Sequence, residues 1–194
     1  MYMMNIIDKI KYFKKQLNVK TEQAVARILF NYSIKISTAE SCTGGLLSSR
    51  LTDIAGSSSY IKENFITYAN ESKVEILDVS QDTIDKYGAV SEECALEMAE
   101  GLYKKTGCDI AISTTGVAGP TIPEKGTTVG TVYVAIKNKY ISKAKKFEVN
   151  PHHSRKMIKY LFSQSALEFL IEFLNENYVN SIKQVTDALP EDNH

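Results

Sequence analysis

The chain of 194 residues is poor in the residues that build metal and disulfide frameworks. It has three cysteines, Cys42, Cys94 and Cys108, widely spaced and never arranged as CxxC. Such usage argues against a zinc site or a disulfide scaffold and fits a reducing cytoplasm, with no metal or other cofactor expected. Histidine is equally scarce: His152, His153 and the terminal His194 are the whole set. A Ser-His-Asp triad therefore has few members to draw on, and no GxSxG elbow is present. Excess charge is also missing. Lys+Arg and Asp+Glu balance at 23 each, so nothing directs the chain to nucleic acid or to a membrane surface. No apolar run approaches the ~20 residues of a membrane span. The first residues, Met1 to Lys9, lack the apolar core and cleavage site of a signal peptide. Neither GxxxxGK[ST] nor GxGxxG occurs, so a nucleoside triphosphate site is not indicated.

What is present is enough apolar sequence, 43%, for one domain with a sizeable core. Residues 4–18 place Ile6, Ile7, Ile10, Phe13 and Leu17 at helical spacing among lysines, which predicts an amphipathic helix. A second helix is expected over 21–31, a strand over 34–38 and a helix over 43–53. Tyr60 to Tyr68 reads as a strand, and Asn70 as the N-cap of a helix through Leu77. A short helix at 81–86 should stop at Gly88. Ser91 should cap a helix from Glu92 to about Lys105 that buries Cys94, Met98 and Leu102 and ends at Gly107. Residues 109–114 form an apolar strand. Val129–Lys137 and Tyr140–Val149 form a hairpin across Asn138-Lys139, and a long helix over 152–177 closes the domain. Strands alternating with helices, plus one hairpin, predict an α/β fold: a three-layer α/β/α sandwich with a mixed, mostly parallel sheet. The expected organisation is a helical extension over 1–19, one domain over 20–177 and a polar tail over 178–194.

The segment Thr38-Ala39-Glu40-Ser41-Cys42-Thr43-Gly44-Gly45 follows a β-branched run and precedes the helix expected at 43–53. A strand thus delivers a hydroxyl, a thiol and two glycines to a helix N-terminus, where backbone N–H groups stabilise negative charge. The competing reading is a polar turn with Ser41 or Thr43 as N-cap. If the strands are parallel neighbours, the loops 38–45, 67–73 and 114–128 converge at their carboxyl ends and bring Ser41, Tyr68, Lys73 and Thr115 together. With histidine scarce, Lys73 is the candidate base for Ser41: desolvation and the helix dipole lower a lysine pKa at such a position. The alternative for Lys73 is the solvent-exposed fate of most lysines. Cys42 is the rival nucleophile, and burial as a small apolar residue is its expected fate. Arg155 could clamp a phosphate or carboxylate, or simply make a surface ion pair.

Six stretches carry a family resemblance: Thr38–Gly45, Asp53–Ser58, Phe65–Lys73, Tyr87–Glu93, Thr115–Pro120 and Val129–Val132. In this order and spacing, across residues 20–172, they resemble the CinA C-terminal domain family, whose characterised members are nicotinamide mononucleotide deamidases. The resemblance implies a homodimer that hydrolyses the carboxamide of a small pyridine mononucleotide and releases ammonia, with no nucleic acid or membrane partner. It assigns the nucleophile to Ser41, its lysine partner to Lys73 and a supporting tyrosine to Tyr68. Substrate contacts fall on Thr43, Gly44, Gly45, Asn70, Thr115 and Arg155. Two departures bear on the substrate: the loop Thr121–Thr128 differs from the family pattern, and Lys159 stands where a second arginine is usual. Lysine lacks the planar fork of arginine. A non-catalytic nucleotide-binding module, or a deamidase for another amide, is the alternative expectation.

Overall fold

The computed structural model describes residues 20–121 and 127–179. The amphipathic segment 4–18, part of the divergent loop and the tail after Val179 lie outside the described residues. Five strands, β1 (Ile36–Glu40), β2 (Ile61–Ile66), β3 (Ile110–Gly116), β4 (Thr131–Lys137) and β5 (Ser142–Glu148), form one sheet in the order β2-β1-β3-β4-β5. β1 pairs in parallel with β2 and β3, while β4 is antiparallel to both β3 and β5. Four strands therefore share one direction and β4 is reversed, the mixed sheet that alternating helices and strands plus one hairpin predict.

Helices cover both faces. The helices α1 (Lys20–Asn31), α2 (Leu46–Thr52) and α6 (Arg155–Leu174) lie on one side. The helices α3 (Asn70–Leu77), α4 (Gln81–Tyr87) and α5 (Glu92–Thr106) lie on the other. Strand residues sort by size between the two sides, because side chains alternate across a strand. Ile110, Ile112, Val132, Val134 and Ile136 pack with Leu29, Leu47, Phe162 and Leu170. On the opposite face Ala39 and Ala111 meet Leu77, Met98 and Leu102, and Ala135 meets Ala95 and Ala99. Each large side chain buried in this way contributes about 1.5–3 kcal/mol. The small residues bring α5 close to the sheet. Gly101 extends the same close packing: a Cβ there would stand 1.7 Å from the carbonyl oxygen of Leu77.

Several boundaries differ from the sequence expectations for local reasons. β1 begins at Ile36 and ends at Glu40, two residues later than expected, because its register is set by parallel pairing with β3. α2 begins at Leu46 and not at 43, since Gly44 and Gly45 take φ of 58° and 89°, outside the right-handed helical region. Neither Ser41 nor Thr43 caps it. Asn70 is the first residue of α3, and the extended Ala69 precedes it without a side-chain cap. The hairpin turn spans 138–141, and the Asn138 carboxamide accepts from the N–H groups of Tyr140 and Ile141. The closing helix runs from Arg155, capped by Ser154, to Leu174 and continues as a π turn over Asn175–Val179. α5 is capped as expected, with the Ser91 hydroxyl accepting from the N–H of Cys94 and Gly107 in the left-handed region. Among the described residues no helix is long and apolar enough to cross a membrane.

Candidate active site

β1 lies between β2 and β3: α2 links β1 to β2 over one face of the sheet, and α3, α4 and α5 link β2 to β3 over the other. That is a topological switch point, where open α/β sheets bind ligands beyond the carboxyl ends of their strands. The three loops expected to converge do so. A cavity of about 570 Å³ lies there, lined among others by Ser41, Tyr68, Asn70, Lys73, Thr115 and Arg155. Its size is that of a small-molecule site.

Ser41 leaves β1 with its N–H bonded to the carbonyl of Thr114 at 3.0 Å, and its own carbonyl accepts from Gly44 N–H at 3.1 Å. The carboxylate of Glu40 reaches over this turn. It accepts from the N–H groups of Gly45, Leu47 and Ser48 at 2.9, 3.0 and 2.7 Å, and from the Ser48 hydroxyl. Glu40 thus caps α2. Sequence reasoning passed over it, because Ser41 and Thr43 stand nearer the helix as cap candidates.

Lys73 is almost wholly buried, at 1% exposure, so the common surface fate does not apply to it. Its Nζ turns back over the start of α3 and donates to the carbonyls of Thr67, Tyr68 and Ala69 at 3.1, 3.3 and 3.4 Å. A buried amine requires such partners, because stripping its hydration without them costs several kcal/mol, on the order of a lost ion pair or more. The carbonyls belong to the loop that also carries Tyr68, so the lysine and the tyrosine are fixed by one segment.

The far wall is built by β3 and α6. The Thr115 hydroxyl donates to the carbonyl of Ala89 at 2.6 Å. Arg155 donates to the carbonyl of Gly119 at 2.5 Å and to the Tyr68 hydroxyl at 2.8 Å. Three predicted contact residues do not line the cavity. Thr43 is fully buried, with its hydroxyl 2.8 Å from that of Thr114. A Cβ on Gly44 would lie 3.1 Å from Lys159 Nζ, and one on Gly45 would lie 3.1 Å from Ile66 Cδ1, so these glycines serve close packing. Cys42 does line the cavity, but burial, and next the charge of Glu40, pushes its thiol up to about 12. At neutral pH it remains a thiol, which disfavours it as a nucleophile. His152 and His153 are not among the lining residues.

A mixed α/β sandwich with a polar cavity at its switch point is a recurrent enzyme and ligand-binding class. Within that class the CinA C-terminal domain model matches residues 18–174, and the chain belongs to this family. It is 42% identical over 158 residues to a CinA-like protein of Chlorobium limicola, covering 80% of this chain and 37% of that one. A CinA-like protein of Chlorobaculum tepidum is 45% identical over 163 residues, covering 81% of this chain and 38% of the relative. The chain therefore spans about two-fifths of the length of these curated relatives. Among solved structures, a CinA superfamily protein from Klebsiella pneumoniae superposes with a TM-score of 0.78 at 31% identity, covering 81% of this chain and 98% of that one. The competence/damage inducible protein CihA from Agrobacterium tumefaciens gives 0.74 at 36% identity, covering 80% and 95%.

Proposed function

We propose that this domain is an amidohydrolase that converts nicotinamide mononucleotide to nicotinic acid mononucleotide and ammonia. The observation that carries the reading is the pairing, in one cavity, of a serine on a tight turn with a buried lysine. In the proposed sequence Ser41 Oγ attacks the carboxamide carbon while Lys73, as the neutral amine with one of its three carbonyl bonds given up, takes the Ser41 proton. The tetrahedral oxyanion requires backbone donors. Gly44 N–H is spent on Ser41 O and Gly45 N–H on Glu40, so neither of these two donors is open to the oxyanion. Proton return through Lys73 or Tyr68 lets ammonia leave. Water then hydrolyses the acyl-serine to the carboxylate product and frees Ser41. Arg155, at the cavity rim, would hold the phosphate through its planar fork. A homodimer in the cytoplasm is part of the proposal. Cys42, Cys94 and Cys108 are buried thiols outside any disulfide, which is compatible with that compartment.

The test is ammonia release from nicotinamide mononucleotide by wild type, Ser41→Ala and Lys73→Ala. Full activity in Ser41→Ala would falsify the mechanism. A second reading, a related amide substrate, rests on Lys159 standing where a second arginine is usual. A panel of pyridine and aliphatic amides in the same assay separates the two, and binding without turnover of any amide would mark a non-catalytic module.

A further inference from the structure

We propose that Glu40 is a positioning residue for the nucleophile: its carboxylate caps α2 in place of Ser41 or Thr43, leaving the Ser41 hydroxyl outside the cap and at the cavity. This inference rests on the assignment of Ser41 as nucleophile. A helix that starts after a polar turn ordinarily takes a Ser or Thr of that turn as its N-cap. Here Gly45 holds the cap position and contributes no side chain. The Glu40 carboxylate takes over, accepting the N–H groups at Gly45, Leu47 and Ser48 together with the Ser48 hydroxyl. The Ser48 hydroxyl is also 2.7 Å from Thr38 Oγ1, which bonds to Asn64 Oδ1 at 2.9 Å, so the cap is anchored to β1 and β2.

Glu40 also meets the other half of the site through its backbone. Its carbonyl accepts from Thr67 N–H at 2.9 Å, and the Thr67 carbonyl accepts from Lys73 Nζ at 3.1 Å. One residue thus ties the Ser41 turn, by its side chain, to the seat of Lys73, by its main chain. The carboxylate is fully buried and accepts four hydrogen bonds, and a buried polar group so bonded holds its place because leaving its donors unpaired is costly. Losing the carboxylate frees α2 donors, and the hydroxyls of Ser41 and Thr43 are the nearest replacements within the turn. A capped Ser41 is a lost nucleophile.

The experiment reads Ser41 directly and needs no natural substrate. The full chain is treated with an alkyl fluorophosphonate, and the Ser41 adduct is followed by mass spectrometry at several probe concentrations in wild type, Glu40→Gln and Ser48→Ala. A misplaced reacting group loses about tenfold to a hundredfold in rate, so the maximal labelling rate of Glu40→Gln should fall by that factor while its half-saturating probe concentration stays unchanged. Ser48→Ala keeps the three backbone bonds and should label nearly as wild type does. Circular dichroism and thermal melting report folding. Should Glu40→Gln fail to fold, Glu40→Asp keeps the charge one methylene short of its donors and should show the same split to a smaller degree. Folded variants at Glu40 that label at the wild-type rate overturn the inference and leave the nucleophile assignment intact. Wild type that shows no Ser41 adduct overturns the nucleophile assignment and this inference with it.

Discussion

Arg155 Nη2 donates to the hydroxyl of Tyr68 at 2.8 Å, which joins the first turn of α6 to the loop after β2 across the mouth of the cavity. The second bond of the guanidinium, to Gly119, joins the same turn to the loop after β3. Neither partner is a carboxylate, so an anionic substrate group can compete for the fork. Arg155→Ala should therefore raise KM about tenfold or more, the value of one or two charged hydrogen bonds, with a smaller change in kcat. Arg155→Lys restores charge without the fork and should recover only part of that loss. Tyr68→Phe should lower kcat by about a hundredfold or more, as the loss of a group that passes a proton does, with little increase in KM. Steady-state ammonia assays on the three variants give the split.

Lys73 gives a case where activity and stability part. Replacing it by methionine removes the amine and fills nearly the same volume with apolar atoms. Burying an amine carries a desolvation cost that well-packed apolar atoms do not, and its partners here are carbonyls and not a carboxylate that would be left unpaired. Lys73→Met should accordingly lose turnover while its urea midpoint holds or rises. A large fall in the midpoint would mean that the carbonyls of Thr67, Tyr68 and Ala69 depend on the amine for their order.

Cys42 supplies a pH dependence. Its folded pKa is raised, to about 12, by burial and by the charge of Glu40, so the unfolded chain releases the proton first as pH rises. Stability from the protonated thiol is then complete below the unfolded pKa and is lost progressively above it, toward about 12. Cys42→Ala should show a shallower loss of melting temperature between neutral and strongly alkaline buffers than wild type. At neutral pH, alkylation of Cys42 by iodoacetamide should be slow compared with a model thiol.

Arg50 holds α2 at its other end. Its guanidinium bonds to Glu22 at 2.6 Å, Ser163 at 2.8 Å and Gln164 at 2.6 Å, and lies 4.7 Å from the centre of the Tyr160 ring. The pair is largely buried, with side-chain exposures of 6% and 12%, so truncating Arg50 leaves Glu22 charged and unpaired. Arg50→Ala should cost about 3–5 kcal/mol in denaturant unfolding, whereas exchange of an exposed partner pair such as Lys146 and Glu148 should change stability little.

Gly44 and Gly101 should respond differently to alanine. At Gly44 the strain is a left-handed φ of 58° and a contact with the movable end of Lys159, worth about 1–2 kcal/mol and a melting shift of a few degrees. At Gly101 the new Cβ meets the main chain of Leu77, so α3 and α5 must separate and the variant should not fold to the native state. Thermal melting of the two proteins distinguishes the outcomes.

Much of this molecule follows from local rules acting on neighbouring residues. Ser91 before an apolar-periodic run and Gly107 after it delimit α5, because capping and the left-handed C-terminal position are satisfied within a turn of the chain. The short apolar run at 109–114 predicts a strand, and β3 runs over Ile110–Gly116. The glycine pair after Ser41 marks a tight turn wherever the rest of the chain goes. The order of six short stretches was sufficient to indicate the family to which the chain belongs.

Other features depend on contacts between distant segments and leave no local trace. Asn70-Glu71-Ser72-Lys73 looks like an exposed first helical turn, and only packing buries Lys73 under the loop that follows β2. Glu40 falls, by sequence, in the polar segment after the strand expected over 34–38. It becomes a cap because β1 and α2 meet at an angle that brings its carboxylate over three N–H groups five to eight residues ahead. Thr43, Gly44 and Gly45 share a turn with Ser41 yet do not line the cavity, since two left-handed residues steer the chain toward Ile66 and Lys159. Amino-acid order by itself determined the elements and the candidate nucleophile, through interactions that close within a turn or a strand. The tertiary structure decided which side chains face the cavity, because parallel pairing of β1 with β2 and β3 sets where their loops end.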